Sequence, residues 1–187
     1  ERALCFWLSQ QTEVSLYHPD PKVKQEASDF VSLLTPVVKT MFTEMGMEIT
    51  SEAMQVHGGY GYTKDQGIEQ LYRDNRITPI YEGTNSVQAA DLVFRKLINK
   101  NGDIINRYLE MMKSDCNTEN EKTKPFVKEL NVHIEILSKF TNWIKEKLKN
   151  SKDDASAASN DYLKSLGFVS IAYSWLKVLE VSFKEYD

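Results

Sequence analysis

The chain has 187 residues, a net charge of −4 and 41% hydrophobic residues, enough for one buried core with an appendage. An acidic balance is the wrong sign for a nucleic-acid footprint. Cys5 and Cys116 are too few and too distant for a disulfide framework or a metal site and suit a reducing compartment, and the longest apolar runs are too short to cross a bilayer. No signal or transit segment is visible at the start, and Glu1 already stands inside a helical pattern, so the chain reads as a piece of a longer protein.

The elements follow in chain order. Leu4, Trp7 and Leu8 share one side of a helix over 2–16, which ends before His18-Pro19-Asp20-Pro21. Val23, Ala27, Phe30, Val31 and Leu34 recur at helical spacing over 22–34. Thr35-Pro36 reads as an N-cap with proline in the first turn, opening a new helix that runs to about His57. Its apolar face is Val38, Met41, Phe42, Met45, Ile49, Ala53 and Val56, with the methionines as core filler. A shorter helix over 67–75 turns Ile68, Leu71 and Tyr72 inward, and Pro79 stops it. Another helix spans 85–99, capped by Thr84 or Asn85 and closed by Asn101-Gly102. Residues 103–113 form a short helix and 114–124 a polar linker. Two long helices, about 125–149 and 154–185, pack antiparallel on the preceding bundle, with 150–160 holding the turn. His133 on the edge of the first reads as a surface or satisfied histidine. No strand alternation and no internal repeat is visible, so the fold class is all-α.

The chemistry lies between Glu52 and Gln88. Gln55-Val56-His57-Gly58-Gly59-Tyr60-Gly61-Tyr62 ends a helix in glycines, which expose backbone N–H groups without side-chain bulk and let a polyanion approach. The same residues also suit a plain helix C-cap. Tyr81-Glu82-Gly83-Thr84-Asn85-Ser86 places a carboxylate at a loop–helix junction. Such a carboxylate serves as a general base in a dry pocket and is otherwise simply solvated.

Taken together, Gln55 to Tyr62, Arg73-Asp74 and Ile80 to Thr84 stand in the order and at the spacing of one family. The stretch from about Glu1 to Lys100 resembles the carboxy-terminal helical domain of the acyl-CoA dehydrogenases. The remainder resembles the extra helical segment of the longer bacterial members, by position and helical character. The resemblance implies two segments: 1–101 as that domain without its first helix, and 102–187 as a helical extension. It implies oxidation of the α,β bond of an acyl-CoA thioester, with Glu82 abstracting the α-proton and FAD accepting the β-hydride. Gln55, Val56, His57, Gly58, Gly59, Thr84, Asn85 and Ser86 correspond to FAD contacts, and Gly83 gives the substrate room. His57 stands where the family has an apolar residue, and Asn85-Ser86 replaces a more frequent Ser with Glu or Gln. Arg73, Asp74 and Arg76 are expected to hold the Glu82 loop. The implied partners are the acyl-CoA, an electron-transfer flavoprotein or similar acceptor, and further copies in a dimer or tetramer. The implied location is the cytoplasm of a bacterium, or the mitochondrial matrix of a eukaryote. An acyl-CoA oxidase or nitroalkane oxidase shares the fold, but a glutamate at position 82 favours a CoA thioester over a nitroalkane. A purely structural oligomerisation module is the remaining alternative. The β-domain that seats the flavin ring is not in this sequence, so residues 1–187 alone are expected to fold yet to be inactive.

Overall fold

The computed structural model describes residues 2–98, 104–116 and 121–185, with 184 and 185 as backbone only. Among the described residues all regular structure is helical. The chain begins with α1 (Arg2–Tyr17), α2 (Pro21–Val56), the four-residue α3 (Gly59–Tyr62), a 3-10 turn (Lys64–Gln66) and α4 (Ile68–Asn75). Then come α5 (Asn85–Asp91), which passes into a π-helical stretch (Leu92–Lys96), and α6 (Ile104–Asp115). The long α7 (Lys124–Asn150), the short α8 (Lys152–Ala157) and α9 (Ser159–Glu185) complete the described chain.

The core explains why these helices assemble. One buried cluster draws Leu4 from α1, Phe30, Leu34, Val37 and Met41 from α2, and Leu92 and Val93 from the π stretch. It continues through Tyr108 and Met112 of α6 and Ile134, Leu137 and Ile144 of α7 to Tyr162, Leu166 and Tyr173 of α9. Tyr108 meets Phe30 edge-on at 5.6 Å and Trp7 at 6.0 Å, joining α6, α2 and α1 in one aromatic contact. Polar ties add register. Arg107 reaches the buried Asp29 at 2.5 Å, and the Thr141 and Tyr162 hydroxyls bond at 2.9 Å.

The helix starting at Pro21 does not break at Thr35-Pro36. Asp20 caps it, accepting from the Lys22 N–H at 2.8 Å, and it continues for 36 residues with Pro36 buried inside. The Thr35 hydroxyl donates to the Val31 carbonyl within the helix and caps nothing. A mid-helix proline costs about 3 kcal/mol through a lost hydrogen bond and a ring clash. That cost is offset because Leu33, Leu34, Val37 and Met41, on both sides of the proline, are buried in one continuous face.

Other boundaries shift as well. The segment expected as a linker begins inside α6, and Cys116, just past it, is fully buried. Asn101 and Gly102, and residues 117–120, lie outside the described residues. The turn expected over 150–160 contains α8, whose first turn is capped by Ser151 and tied back by Lys147–Asp154 at 2.7 Å. α9 also departs from the expectation that no segment could span a bilayer. Within Ser159–Phe183 an 18-residue window reaches a mean hydropathy of 1.3, so this helix is long and apolar enough to cross a membrane by length and composition only. In the structure it contacts α1, α2, α5 and α7, which accounts for an apolar helix as a core element. Phe168 and Trp175, on the same helix, remain exposed.

Candidate active site

The site residues lie along α2 from its middle to its end, and on α3, α4 and the loop before α5. α2 runs out at Val56, and His57 closes it by donating its N–H to the Ala53 carbonyl. Gly58 then takes φ +60° and its N–H bonds to the Gln55 carbonyl. α3 turns back so tightly that Gly61 is buried against α2. A Cβ on Gly61 would lie 2.6 Å from the Met54 carbonyl oxygen, so this approach requires glycine.

Gln55, Val56, His57, Gly58 and Gly59 are all exposed, and a Cβ built on Gly58 or Gly59 meets nothing within 4 Å. The turn is therefore an open backbone ridge, in which the His57, Gly58 and Gly61 amides are bonded to the Ala53, Gln55 and Gly58 carbonyls. This geometry fits the approach of a pyrophosphate. The apolar side chains beyond it are uncovered too: Val56 is 84% exposed, Tyr60 73% and Tyr62 76%.

α4 is held to α2 by a second close contact. A Cβ on Gly46 would sit 2.9 Å from the Asn75 side-chain amide, so glycine there lets Asn75 lie against the long helix. Leu71, expected to face inward, is 57% exposed, and Tyr72 is at the surface. Arg73, Asp74 and Arg76 are exposed as well. Asp74 accepts from Gln70, and no hydrogen bond or ion pair joins these three side chains to the Glu82 loop among the described residues. The expectation that they brace the loop is overturned because a two-turn helix lying on α2 turns its charged face to solvent.

The Glu82 loop is built differently. Ile80 to Thr84 is closed by the Asn85 N–H, which donates to the Pro79 carbonyl at 3.2 Å. Thr84 is the cap expected for α5: its hydroxyl accepts from the Val87 N–H. Within the loop, Glu82 has φ +53° and Gly83 φ +82°. Glycine takes the second at no cost. For Glu82, a residue with a Cβ, the left-handed conformation costs on the order of 1–2 kcal/mol. Such a conformation persists only where neighbours fix it.

Two side chains do so, and neither was visible as part of the site in the sequence. The Gln88 amide donates to the Glu82 carbonyl at 2.9 Å. The Lys39 ammonium, on α2, donates to the Gly83 carbonyl at 2.9 Å and to Asn85 Oδ1 at 2.7 Å. Partial burial lowers the Lys39 pKa below its ordinary value, and the charge of Glu82 raises it part of the way back. Asn85 also touches Thr43 and Glu44, and Glu44 pairs with Lys164 of α9 at 2.8 Å. Asn85 thus directs its side chain into α2, while Glu82, Thr84 and Ser86 stand exposed.

The described residues hold no cluster of metal-ligating side chains. An apolar groove of about 560 Å³ between α7 and α9 is lined by Phe126, Leu130, Phe168, Trp175 and His133, and by none of the motif residues. His133 is exposed there, its Nδ1 2.9 Å from the Glu129 carbonyl oxygen.

Fold and site together define a helical domain that presents a strained carboxylate loop against the middle of α2 and an open glycine turn at its end. Residues 22–97 match the family described as acyl-CoA dehydrogenase, C-terminal domain, and residues 108–187 match the family described as acetyl-CoA dehydrogenase C-terminal like. The chain belongs to the acyl-CoA dehydrogenase family through these two helical regions. It is similar to 3-methylmercaptopropionyl-CoA dehydrogenase of Ruegeria pomeroyi, 40% identical over 107 residues, covering 57% of this chain and 18% of that protein. It is similar to butyryl-CoA dehydrogenase of Syntrophomonas wolfei, 28% identical over 181 residues, covering 95% of this chain and 28% of that protein. Among solved structures it resembles Caenorhabditis elegans ACDH-11 in complex with C11-CoA, with a TM-score of 0.77 at 22% identity, covering 94% of this chain and 29% of that one. The chain therefore spans less than a third of the length of these relatives.

Proposed function

We propose that this chain serves as the carboxy-terminal helical part of a flavin-dependent acyl-CoA dehydrogenase, with Glu82 as the base that removes the α-proton of an acyl-CoA thioester. The observation that carries this reading is the Glu82 loop. It holds a carboxylate in a left-handed conformation, fixed from α2 and α5, with its side chain exposed. A solvated loop glutamate has no need of such support, whereas a general base must be held within hydrogen-bond reach of one proton.

The parts then divide the work. The Gln55–Gly59 ridge, with Thr84 and Ser86, would meet FAD through backbone amides and short side chains, while Asn85 keeps its side chain turned to α2. Gly83 leaves room for the substrate beside the base. Bound FAD would supply the acceptor for the β-hydride, while Glu82 takes the α-proton. The exposed apolar residues Val56, Tyr60, Tyr62 and Leu71 support contact of this end with the rest of the enzyme, the acyl chain or a neighbouring copy. An electron-transfer flavoprotein would take the electrons onward.

The test uses the complete polypeptide that carries this chain. Purified protein should contain FAD and reduce an artificial acceptor when given one member of an acyl-CoA series, without consuming oxygen. Equal turnover with oxygen as acceptor would make it an oxidase. Failure with every acyl-CoA by a flavin-loaded protein would refute the reading.

A further inference from the structure

The strongest feature left unexplained is a lysine placed under the loop of the proposed base. Lys39 lies in the middle of α2, flanked in sequence by half-buried Val38 and buried Thr40, where a solvated lysine has no reason to be. Its ammonium reaches across 44 and 46 positions of sequence to the Gly83 carbonyl and to Asn85 Oδ1. Both contacts are charge-assisted, and at 2.9 and 2.7 Å both are short.

We propose that Lys39 is a positioning residue for the Glu82 carboxylate, fixing the loop on α2 so that the base keeps its left-handed backbone. This rests on the reading of Glu82 as the base. The geometry works through two adjacent peptide groups. Gln88 pins the Glu82 carbonyl and Lys39 pins the Gly83 carbonyl, so both units flanking Gly83 are fixed from different helices. Peptide planarity then leaves Gly83 little freedom to relax its positive φ and anchors the carbonyl end of Glu82. Asn85 extends the clamp. Its oxygen takes Lys39, and its amide nitrogen faces Thr43 at 3.2 Å and Glu44 at 3.5 Å. Glu44 in turn holds Lys164 of α9 at 2.8 Å, which links the carboxy-terminal region to the same brace. The charge matters in addition to the hydrogen bonds. Lys39 is close enough for the Glu82 carboxylate to act on it, so an apolar replacement would remove both the pin and that attraction.

Lys39 makes no hydrogen bond to the glycine turn, so its loss should separate base placement from flavin binding. The experiment compares Lys39→Met with wild type and with Glu82→Gln in the complete flavin-loaded enzyme. Lys39→Met should keep its FAD and bind acyl-CoA within about threefold of wild type. Its rate of flavin reduction should fall roughly ten- to hundredfold, the scale of a misplaced reacting group. The Asn85 amide, bonded to Pro79 in the intact loop, should exchange its hydrogen faster in the variant. Should the methionine variant not fold, Lys39→Gln keeps a donor without the charge and carries the same measurements. Near-normal flavin reduction in the lysine variant beside an inactive Glu82→Gln would overturn the proposal and leave the base assignment standing. Near-normal reduction in both variants would overturn the base assignment as well.

Discussion

Replacing Gly61 with alanine is the sharpest probe of how the glycine turn is built. The added Cβ would lie 2.6 Å from the Met54 carbonyl oxygen, 2.8 Å from His57 Cβ and 3.2 Å from Met54 Cα. Ordinary contact needs about 3.5 Å between carbon atoms, so the turn must open by something on the order of 0.5–1 Å. Two of the three nearest atoms are backbone of α2 and cannot rotate away as a flexible side chain would. Overpacking against a rigid wall costs roughly 1–3 kcal/mol. For a domain of this size that is a fall of about 2–12 °C in melting temperature. The displacement should be local. Hydrogen exchange at the Gly61 and Thr63 amides, which bond to Gly58 and Tyr60, should accelerate while the α7 and α9 amides keep their protection. In the flavin-loaded enzyme the same variant should release FAD more readily. A melting temperature within a degree of wild type, with unchanged exchange in α3, would show that α3 does not sit against Met54 as described.

Gly58→Val should weaken FAD retention while leaving helix content unchanged, because φ +60° is strained for a β-branched residue and the branch blocks the open ridge; equilibrium dialysis and far-ultraviolet circular dichroism measure the two effects. Thr84→Ala removes the cap of α5 and should cost about 1 kcal/mol, seen in denaturant unfolding and in faster exchange at the Val87 amide. Burial pushes the Cys116 thiol up to about 11, with Glu180 adding to the rise, whereas Cys5 is exposed. At pH 8 only about one Cys116 in a thousand would be thiolate. An alkylating reagent should therefore label Cys5 in the native chain and both cysteines after denaturation.

The helical architecture was largely legible because apolar residues recur at helical spacing with clear punctuation. Pro79, the Asp20–Pro21 step and Thr84 act through local chemistry, and a local reading finds such signals. Pro36 misled for the complementary reason. Its local meaning is a helix start, but burial of Leu33, Leu34 and Val37 on both sides overrides it, and that burial is a tertiary fact. Leu71 misled likewise: its spacing marks a buried face, yet that face of α4 is uncovered in this chain. Within the site, the motifs marked Glu82 and the glycine turn because each is contiguous. Lys39 was invisible because its partners lie 44 and 46 residues away. A lysine inside an otherwise apolar helix face was the one available hint.

The central claim is that Glu82 is the proton-abstracting base, and Glu82→Gln in the complete enzyme tests it most directly. Stopped-flow mixing of the flavin-loaded variant with its acyl-CoA substrate follows flavin bleaching in a single turnover. Glutamine keeps the size and loses the proton-accepting carboxylate. The account predicts normal FAD content, acyl-CoA binding close to wild type, and bleaching slowed at least about a hundredfold, the low end for removal of a general base. Bleaching at a near-normal rate would contradict it.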